Sequence, residues 1–341
     1  QWRNQTLVGQ EGSLMGKRTL FKSKKQLRMK TKITSLFISF IATFGFYSCD
    51  TDVENMEIQK LKTYDEQYFQ NLRDFKKSDH EISYAYYEGW SPIEGVTGYK
   101  DPASWGERMV GLPDSIDIVN LWMGIPTAET HPIAYQDMKY CQEKLGTRFV
   151  MHADASNYRH QFTVDGVDYD MGGSSPSDEV MAAYAKWIIK QVVDGELNGV
   201  DIDWEGWSSE DLIRLVTIIG ETFGPKGKQP DMLLIVDYFS GSPSADIAPY
   251  CDYIVQQAYS NQTGFLSEPS NLPSEKMIYC ESFGVFYEDG GQLMNYARWE
   301  PSKGRKGGCG VFYLGRNYYS ASGVPYNEFR EAIQIMNPAI E

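Results

Sequence analysis

The run from Leu197 to Trp207 holds the densest set of residues able to do acid–base chemistry: Asp201, Asp203 and Glu205, separated by single apolar residues. On an extended strand successive side chains alternate faces. The three acids then share one face, and Val200, Ile202 and Trp204 share the other. Neighbouring acids on that face stand about 7 Å apart. In a site shielded from water, carboxylates that close cannot all ionise cheaply, so at least one pKa rises. Such a row can keep a glutamic acid protonated near neutral pH, ready to act as a general acid. Glu205 ends the row, at the C-terminal end of the strand. A solvated acidic edge or a calcium site competes as a reading of three acids in file. A solvated edge leaves Gly199 and the Val/Ile/Trp face without a purpose.

A row of this kind needs a scaffold. From residue 80 onward short apolar runs recur: Ile82–Tyr87, Ile116–Trp122, Thr147–His152, Gly199–Trp204, Met232–Asp237, Tyr253–Gln257, Lys276–Tyr279 and Gly310–Tyr313. Helix-like segments lie between or after them, at Pro132–Lys144, Ser177–Val193, Ser209–Phe223, Gly290–Trp299 and Tyr326–Met336. Ser177 and Ser208, each followed by acids, read as N-caps with negative charge in the first turn. Strands alternating with helices predict a parallel sheet. Eight strands in this length fit a (β/α)8 TIM barrel, an α/β fold of about 250 residues whose active sites lie at the C-terminal ends of the strands. An open doubly wound sheet is the alternative; it usually has fewer strands, and the chain has no glycine-rich phosphate loop.

Asn198, Gly199, Val200, Asp201, Ile202, Asp203, Trp204 and Glu205 together resemble the DGxDxDxE signature of glycoside hydrolase family 18, the chitinases and endo-β-N-acetylglucosaminidases. The resemblance extends over residues 80–340 and places the signature on the fourth barrel strand. It implies retention by substrate assistance, in which the 2-acetamido carbonyl of the sugar attacks its own anomeric carbon and no enzyme nucleophile is used. By the same resemblance Glu205 is the acid/base, Asp203 orients the acetamido group, and Asp201 is the buried partner that tunes Asp203. Asn198 departs from the signature's first Asp. It lies at the start of the strand, before Gly199, where it affects local hydrogen bonding more than chemistry.

Gln257 and Tyr259 are two apart near the end of the sixth strand and share a face. The pair is similar to the Gln-x-Tyr of the endo-β-N-acetylglucosaminidase branch, which implies that both hold the acetamido group; chitinases more often show Met-x-Tyr-Asp there. Asp237, ending the fifth strand, is a further expected sugar contact. Tyr86, Trp90, Tyr313 and Tyr318 are aromatic candidates for stacking on sugar faces. The stretch 152–173 is long for a connection and is expected to shape the groove, with the loops Gly241–Ser244 and Ser260–Pro273 on the same rim.

Composition agrees with a globular glycan-handling protein. Of 341 residues, 42% are hydrophobic and 14% aromatic, an ordinary folded balance rich in large rings. The net charge is −14, and residues 49–341 alone hold 23 bases against 45 acids. A surface so acidic repels phosphate backbones, which excludes nucleic acid as a partner. Four cysteines (Cys141, Cys251, Cys280, Cys309) and four histidines lie too far apart in sequence for a metal motif. Neither a metal nor a cofactor is implied.

Lys30 and Lys32 precede an apolar run, Ile33–Phe46, followed by Ser48 and Cys49. A charged start, a short apolar stretch and a small residue form a secretory signal, too short to span a membrane. Cys49 directly after Ser48 resembles a bacterial lipoprotein signal, which implies lipidation of Cys49 and attachment to the cell envelope. Met29 is the expected start of that signal. The expected organisation is therefore 1–48 as upstream extension and signal, 49–79 as a partly helical tether, and 80–341 as the catalytic barrel. Three functions follow: cleavage between the two core GlcNAc residues of N-linked glycans, a chitinase-like hydrolysis of GlcNAc polymers, or glycan binding without turnover.

Overall fold

The apolar runs assemble into a closed parallel barrel. In order of chain, its strands are β1 (Ile82–Tyr86), β2 (Ile118–Leu121), β3 (Arg148–Asp154), β6 (Gly199–Trp204), β7 (Leu233–Tyr238), β8 (Tyr253–Gln257), β9 (Met277–Ser282) and β10 (Gly308–Phe312). Each pairs in parallel with the next, and β1 closes the ring against β10. The computed structural model describes residues 61, 63–90, 105–259 and 266–339. The signal, Cys49 and the rest of 1–48, together with part of the Ser260–Pro273 loop, lie outside the described residues.

Period-two patterning separates two cores. Tyr84, Tyr86, Ile118, Val150, Ile235, Val255, Ile278 and Cys280 form one apolar cluster, the barrel interior. Their alternating neighbours, among them Ala85, Val119, Phe149, Val200, Ile202, Val236 and Val311, belong to the second cluster, against the surrounding helices. These helices are α1 (Glu66–Lys77), α2 (Pro132–Tyr140), α3 (Asp178–Asp194), α4 (Ser209–Ile219), the short α5 (Phe283–Phe286) and α6 (Leu293–Arg298), and α7 (Asn327–Met336). Ser177 caps α3 by accepting from the Val180 N–H, and Ser208 caps α4 by accepting from the Asp211 N–H. Among the described residues no α-helix follows β1, β7 or β8; 3-10 turns stand there instead.

Two features are not read from strand periodicity. The stretch 152–173 contains an antiparallel hairpin, β4 (Gln161–Val164) with β5 (Val167–Asp170). Phe162 of the hairpin packs against Tyr184 and Trp187 of α3, with centroids 5.1 and 6.1 Å away. Second, the helical part of the 49–79 segment, expected to dock, is α1, and the compact unit that contains it runs Leu61–Glu341. Phe69 of α1 sits in the outer core, and Lys76 donates to the Ile116 carbonyl at 2.6 Å and to Thr147 Oγ1 at 2.9 Å.

Gly199 explains how the acid-bearing strand begins. Its φ is +147°, and a Cβ there would collide with the Leu233 carbonyl oxygen. Only glycine lets β6 start this close to β7.

Candidate active site

β6 carries its acids as alternation dictates. Val200 and Ile202 are buried in the outer core, while Asp201 and Asp203 turn into the barrel. Glu205 lies just past the strand end and lines a cavity of about 450 Å³ at the C-terminal mouth. The turn bearing it is pinned on both sides. The Trp207 N–H donates to the Ala155 carbonyl at 3.1 Å, and the Ala155 N–H to the Asp203 carbonyl at 2.9 Å. Trp204 Nε1 donates to the Trp207 carbonyl at 2.8 Å, and the Trp207 ring stacks on Tyr158 at 5.2 Å. Glu205 therefore projects from a turn with little freedom to swing.

The other strands deliver the partners. Asp201 is wholly buried; Tyr84 donates its hydroxyl to Asp201 Oδ2, and Asn120 Nδ2 donates to the same oxygen at 2.9 Å. Burial pushes the Asp201 carboxyl up to about 6, against the stabilising effect of the Tyr84 bond, His152 and Asn120. Asp203 sits higher, with Gln257 Nε2 3.4 Å from its Oδ1 and His152 Nε2 3.6 Å from its Oδ2. Gln257 also hydrogen-bonds Glu205. Partial burial and then the charge of Asp203 raise the Glu205 carboxyl above the usual range. A raised glutamic acid facing a cavity is what proton donation near neutral pH requires.

The opposite wall is aromatic. Tyr259 stacks on Phe312 with centroids 5.6 Å apart, Phe312 meets Trp122 edge-on at 5.1 Å, and Phe239 stands 6.1 Å from Tyr259 at the rim. An apolar ring wall facing a polar acid wall suits a sugar ring, which offers a hydrophobic face and hydroxyl edges.

The structure brings Glu205, Asp203, Tyr259, Gln257, Asp237 and Tyr86 to this one cavity. Asp201 lies beneath it, on the same face of β6 as Asp203. Three aromatic candidates fall elsewhere. Tyr313 is not a lining residue: β10 ends at Phe312, and Tyr313 adopts a left-handed φ of +62°. That turn sends its ring against Trp122 and under the Arg316 guanidinium, 4.5 Å away. Trp90 is buried against His131, and Tyr318 packs on Tyr326. Asp237 and Tyr86 differ from the expectation in another way. Both are almost fully buried, and the Tyr86 hydroxyl is committed to Asp237.

Sequence reading missed Tyr84, Asn120, His152, Phe312, Trp122 and Phe239. For Phe312 a signal existed: with Gly308 and Gly310 facing inward, period two points Phe312, and not Tyr313, into the barrel. Asn198 is placed as expected at the opposite end of β6. Its Oδ1 accepts from the Phe149 N–H and from Gln142 Nε2, both at 2.9 Å, so it joins β6 to β3 far from the cavity.

Comparison with known proteins agrees with this geometry. The family profile described as glycoside hydrolase family 18, BT1044-like, matches residues 49–277. Endo-beta-N-acetylglucosaminidase F2 of Elizabethkingia meningoseptica is 25% identical over 304 residues, spanning 79% of this chain and 85% of that protein. A solved BT1044 variant superposes with a TM-score of 0.65 at 19% identity, covering 80% of this chain and 93% of its own. The endo-beta-N-acetylglucosaminidase of Cordyceps militaris in apo form gives 0.60 at 20% identity, covering 82% and 98%. At these identities the two structures speak for the fold, whereas the profile spans well over half of the sequence. The chain belongs to glycoside hydrolase family 18, with endo-β-N-acetylglucosaminidases among its relatives.

Proposed function

We propose that the protein is an endo-β-N-acetylglucosaminidase that cleaves the β-1,4 bond between the two core GlcNAc residues of N-linked glycans by substrate assistance. The observation that carries this reading is the meeting of Glu205, Asp203, Gln257 and Tyr259 on one cavity with an aromatic wall. Glu205 gives its proton to the glycosidic oxygen as the bond to the anomeric carbon breaks. The acetamido carbonyl oxygen of the same sugar closes onto that carbon and forms an oxazolinium ring. Asp203, held as the carboxylate, accepts a hydrogen bond from the acetamido N–H and offsets the positive charge that develops. Gln257 and Tyr259 fix the acetamido group in attacking position. Glu205, now ionised, takes a proton from water as water opens the ring, which returns the starting anomer.

The curated relative is itself named an endo-beta-N-acetylglucosaminidase. The Cordyceps militaris enzyme has also been solved with fucosyl-N-acetylglucosamine-Asn, the stub that such cleavage leaves. Both support the N-glycan core as the substrate class. The test is mass spectrometry of a high-mannose and a complex glycoprotein after incubation. Protein retaining a single GlcNAc at each site supports the reading. Release of chitobiose from chitin oligomers with no effect on glycoprotein replaces it by a chitinase-like activity. Binding without product replaces it by a glycan-binding role.

Anchoring at the cell envelope through lipidated Cys49 is proposed on the sequence alone. Metabolic labelling with an alkyne fatty acid should mark the wild-type chain and spare Cys49→Ala; equal labelling of both removes the proposal.

A further inference from the structure

Asp237 has no place in the chemistry above, yet it is the acid most deeply set in the cavity floor. It is wholly buried, and it is the register partner of Asp203 on the neighbouring strand. One of its oxygens, Oδ2, accepts the Tyr86 hydroxyl from across the barrel. The other, Oδ1, is buried without a hydrogen-bond partner if both acids are taken as ions. The groups facing it are Tyr84 and Tyr86 from β1, Asp201 and Asp203 from β6, Tyr259 beyond β8 and Cys280 of β9. None of these is a Lys or Arg, and no Lys or Arg lines the cavity among the described residues; the imidazole of His152 from β3 also lines it, 3.6 Å from Asp203 Oδ2.

Two buried carboxylates in contact, with no Lys or Arg to pair them, do not both ionise cheaply. A single proton on Asp237 Oδ1 removes the conflict, because it turns an orphaned oxygen beside Asp203 into a donor bonded to it. We propose that Asp237 is a positioning residue whose neutral carboxyl, held by Tyr86, donates a hydrogen bond to Asp203 and fixes Asp203 as the carboxylate that meets the acetamido group. This assignment rests on the reading of Asp203 given above. Burial and the neighbouring Asp201 and Asp203 charges also hold the Asp237 carboxyl far above its ordinary range. The arrangement resembles a shared-proton acid pair. Burial and the neighbouring charges keep the proton on Asp237 against the pull of the Tyr86 bond. Tyr86 fixes Oδ2 so that Oδ1 is left toward Asp203, and Gln257 and His152 stand beside Asp203.

The experiment has two arms on the full chain. Infrared difference spectroscopy between wild type and Asp237→Asn at neutral pH reads the proton directly and needs no substrate. A protonated-carboxyl band lost in Asp237→Asn supports the proposal, and its absence from the wild type overturns it. The second arm compares kcat and KM of Asp237→Asn, Asp237→Ala and Tyr86→Phe, with melting temperatures to confirm folding. Asn keeps a donor toward Asp203, so Asp237→Asn should regain most of the kcat that Asp237→Ala loses, an expected drop of roughly 10²-fold with little change in KM. Tyr86→Phe should fall between the two. Equal loss in the Asn and Ala variants means that a charge, not a proton, is needed, and overturns the proposal. Lowered stability with unchanged kcat in Asp237→Ala reduces Asp237 to packing and overturns it as well. A wild type inactive on every N-acetylglucosaminide refutes the functional reading, and the infrared band then decides the proton by itself.

Discussion

The two mouths of the barrel are both hollow and both polar, but they handle charge in opposite ways. At the N-terminal mouth a cavity of about 1070 Å³ is lined by Arg73, Lys76, Arg148, Lys276 and other bases against Asp79, Asp231, Asp252 and Glu275. Two buried pairs at that end are matched, Lys306 with Glu81 at 2.8 Å and His80 with Asp117 at 2.9 Å, whereas Lys76 is held by uncharged oxygens and burial lowers it to about 8. Lys76 and Lys276 spend their protons on backbone carbonyls. At the C-terminal mouth the acids outnumber anything that could neutralise them, and the buried Oδ1 atoms of Asp201 and Asp237 are orphaned. Matched charge holds a fold together, whereas unmatched charge stores protons for use. This is the division expected of a barrel whose catalysis sits at the C-terminal ends of its strands.

Breaking each end should therefore produce different losses. Glu205→Gln removes the proposed proton donor and should lower kcat by roughly 10²–10⁴-fold. Its melting temperature and glycan affinity, read by calorimetry, should stay close to wild type. Lys306→Met does the reverse. It leaves Glu81 buried without its cation and should cost about 3–5 kcal/mol of stability in denaturant titration, with kcat of the folded protein preserved.

Asp201→Asn sharpens the comparison, because here an acid beneath the C-terminal mouth lowers stability. The Asp201 carboxyl is raised to about 6 in the fold, above an unfolded value near 4. A raised acid contributes its full stability below the unfolded pKa and loses it as pH rises through the folded one. Wild type should thus lose stability between about pH 4 and 7 by up to about 3 kcal/mol relative to Asp201→Asn. The variant should melt higher at pH 7 while turning over more slowly, and a flat difference across that range would remove Asp201 from the ledger of strained groups. The smallest effect is expected for Asn198→Asp. Either side chain can accept from Phe149 and Gln142 at the quiet end of β6, so stability should move by less than about 0.5 kcal/mol, with kcat essentially constant.

The same contrast shows why some of the site was legible in the sequence. Asp201, Asp203 and Glu205 lie on one strand, and period two is a local property that any reader of the chain can apply. The eight strands followed from recurring short apolar runs, and their parallel order from the helix-like segments between them. Tyr84, Asn120 and His152 arrive from β1, β2 and β3, and only barrel closure brings them to the acids. Tyr313 follows Phe312 on the other face of the alternation, and its left-handed backbone then lays its ring against Trp122 beside the cavity. For Asp237 the place near the cavity could be read, but its bond to Tyr86 depends on a residue 151 positions away.

The most direct test of the account is whether the substrate's own acetamido group is needed. Initial rates should be compared on a matched pair of aryl β-glycosides, identical except that one carries a 2-acetamido group and the other a 2-hydroxyl. The account predicts turnover of the acetamido sugar and none of its hydroxyl twin. Comparable cleavage of both would contradict it, because an enzyme nucleophile would then be doing what is assigned here to the sugar.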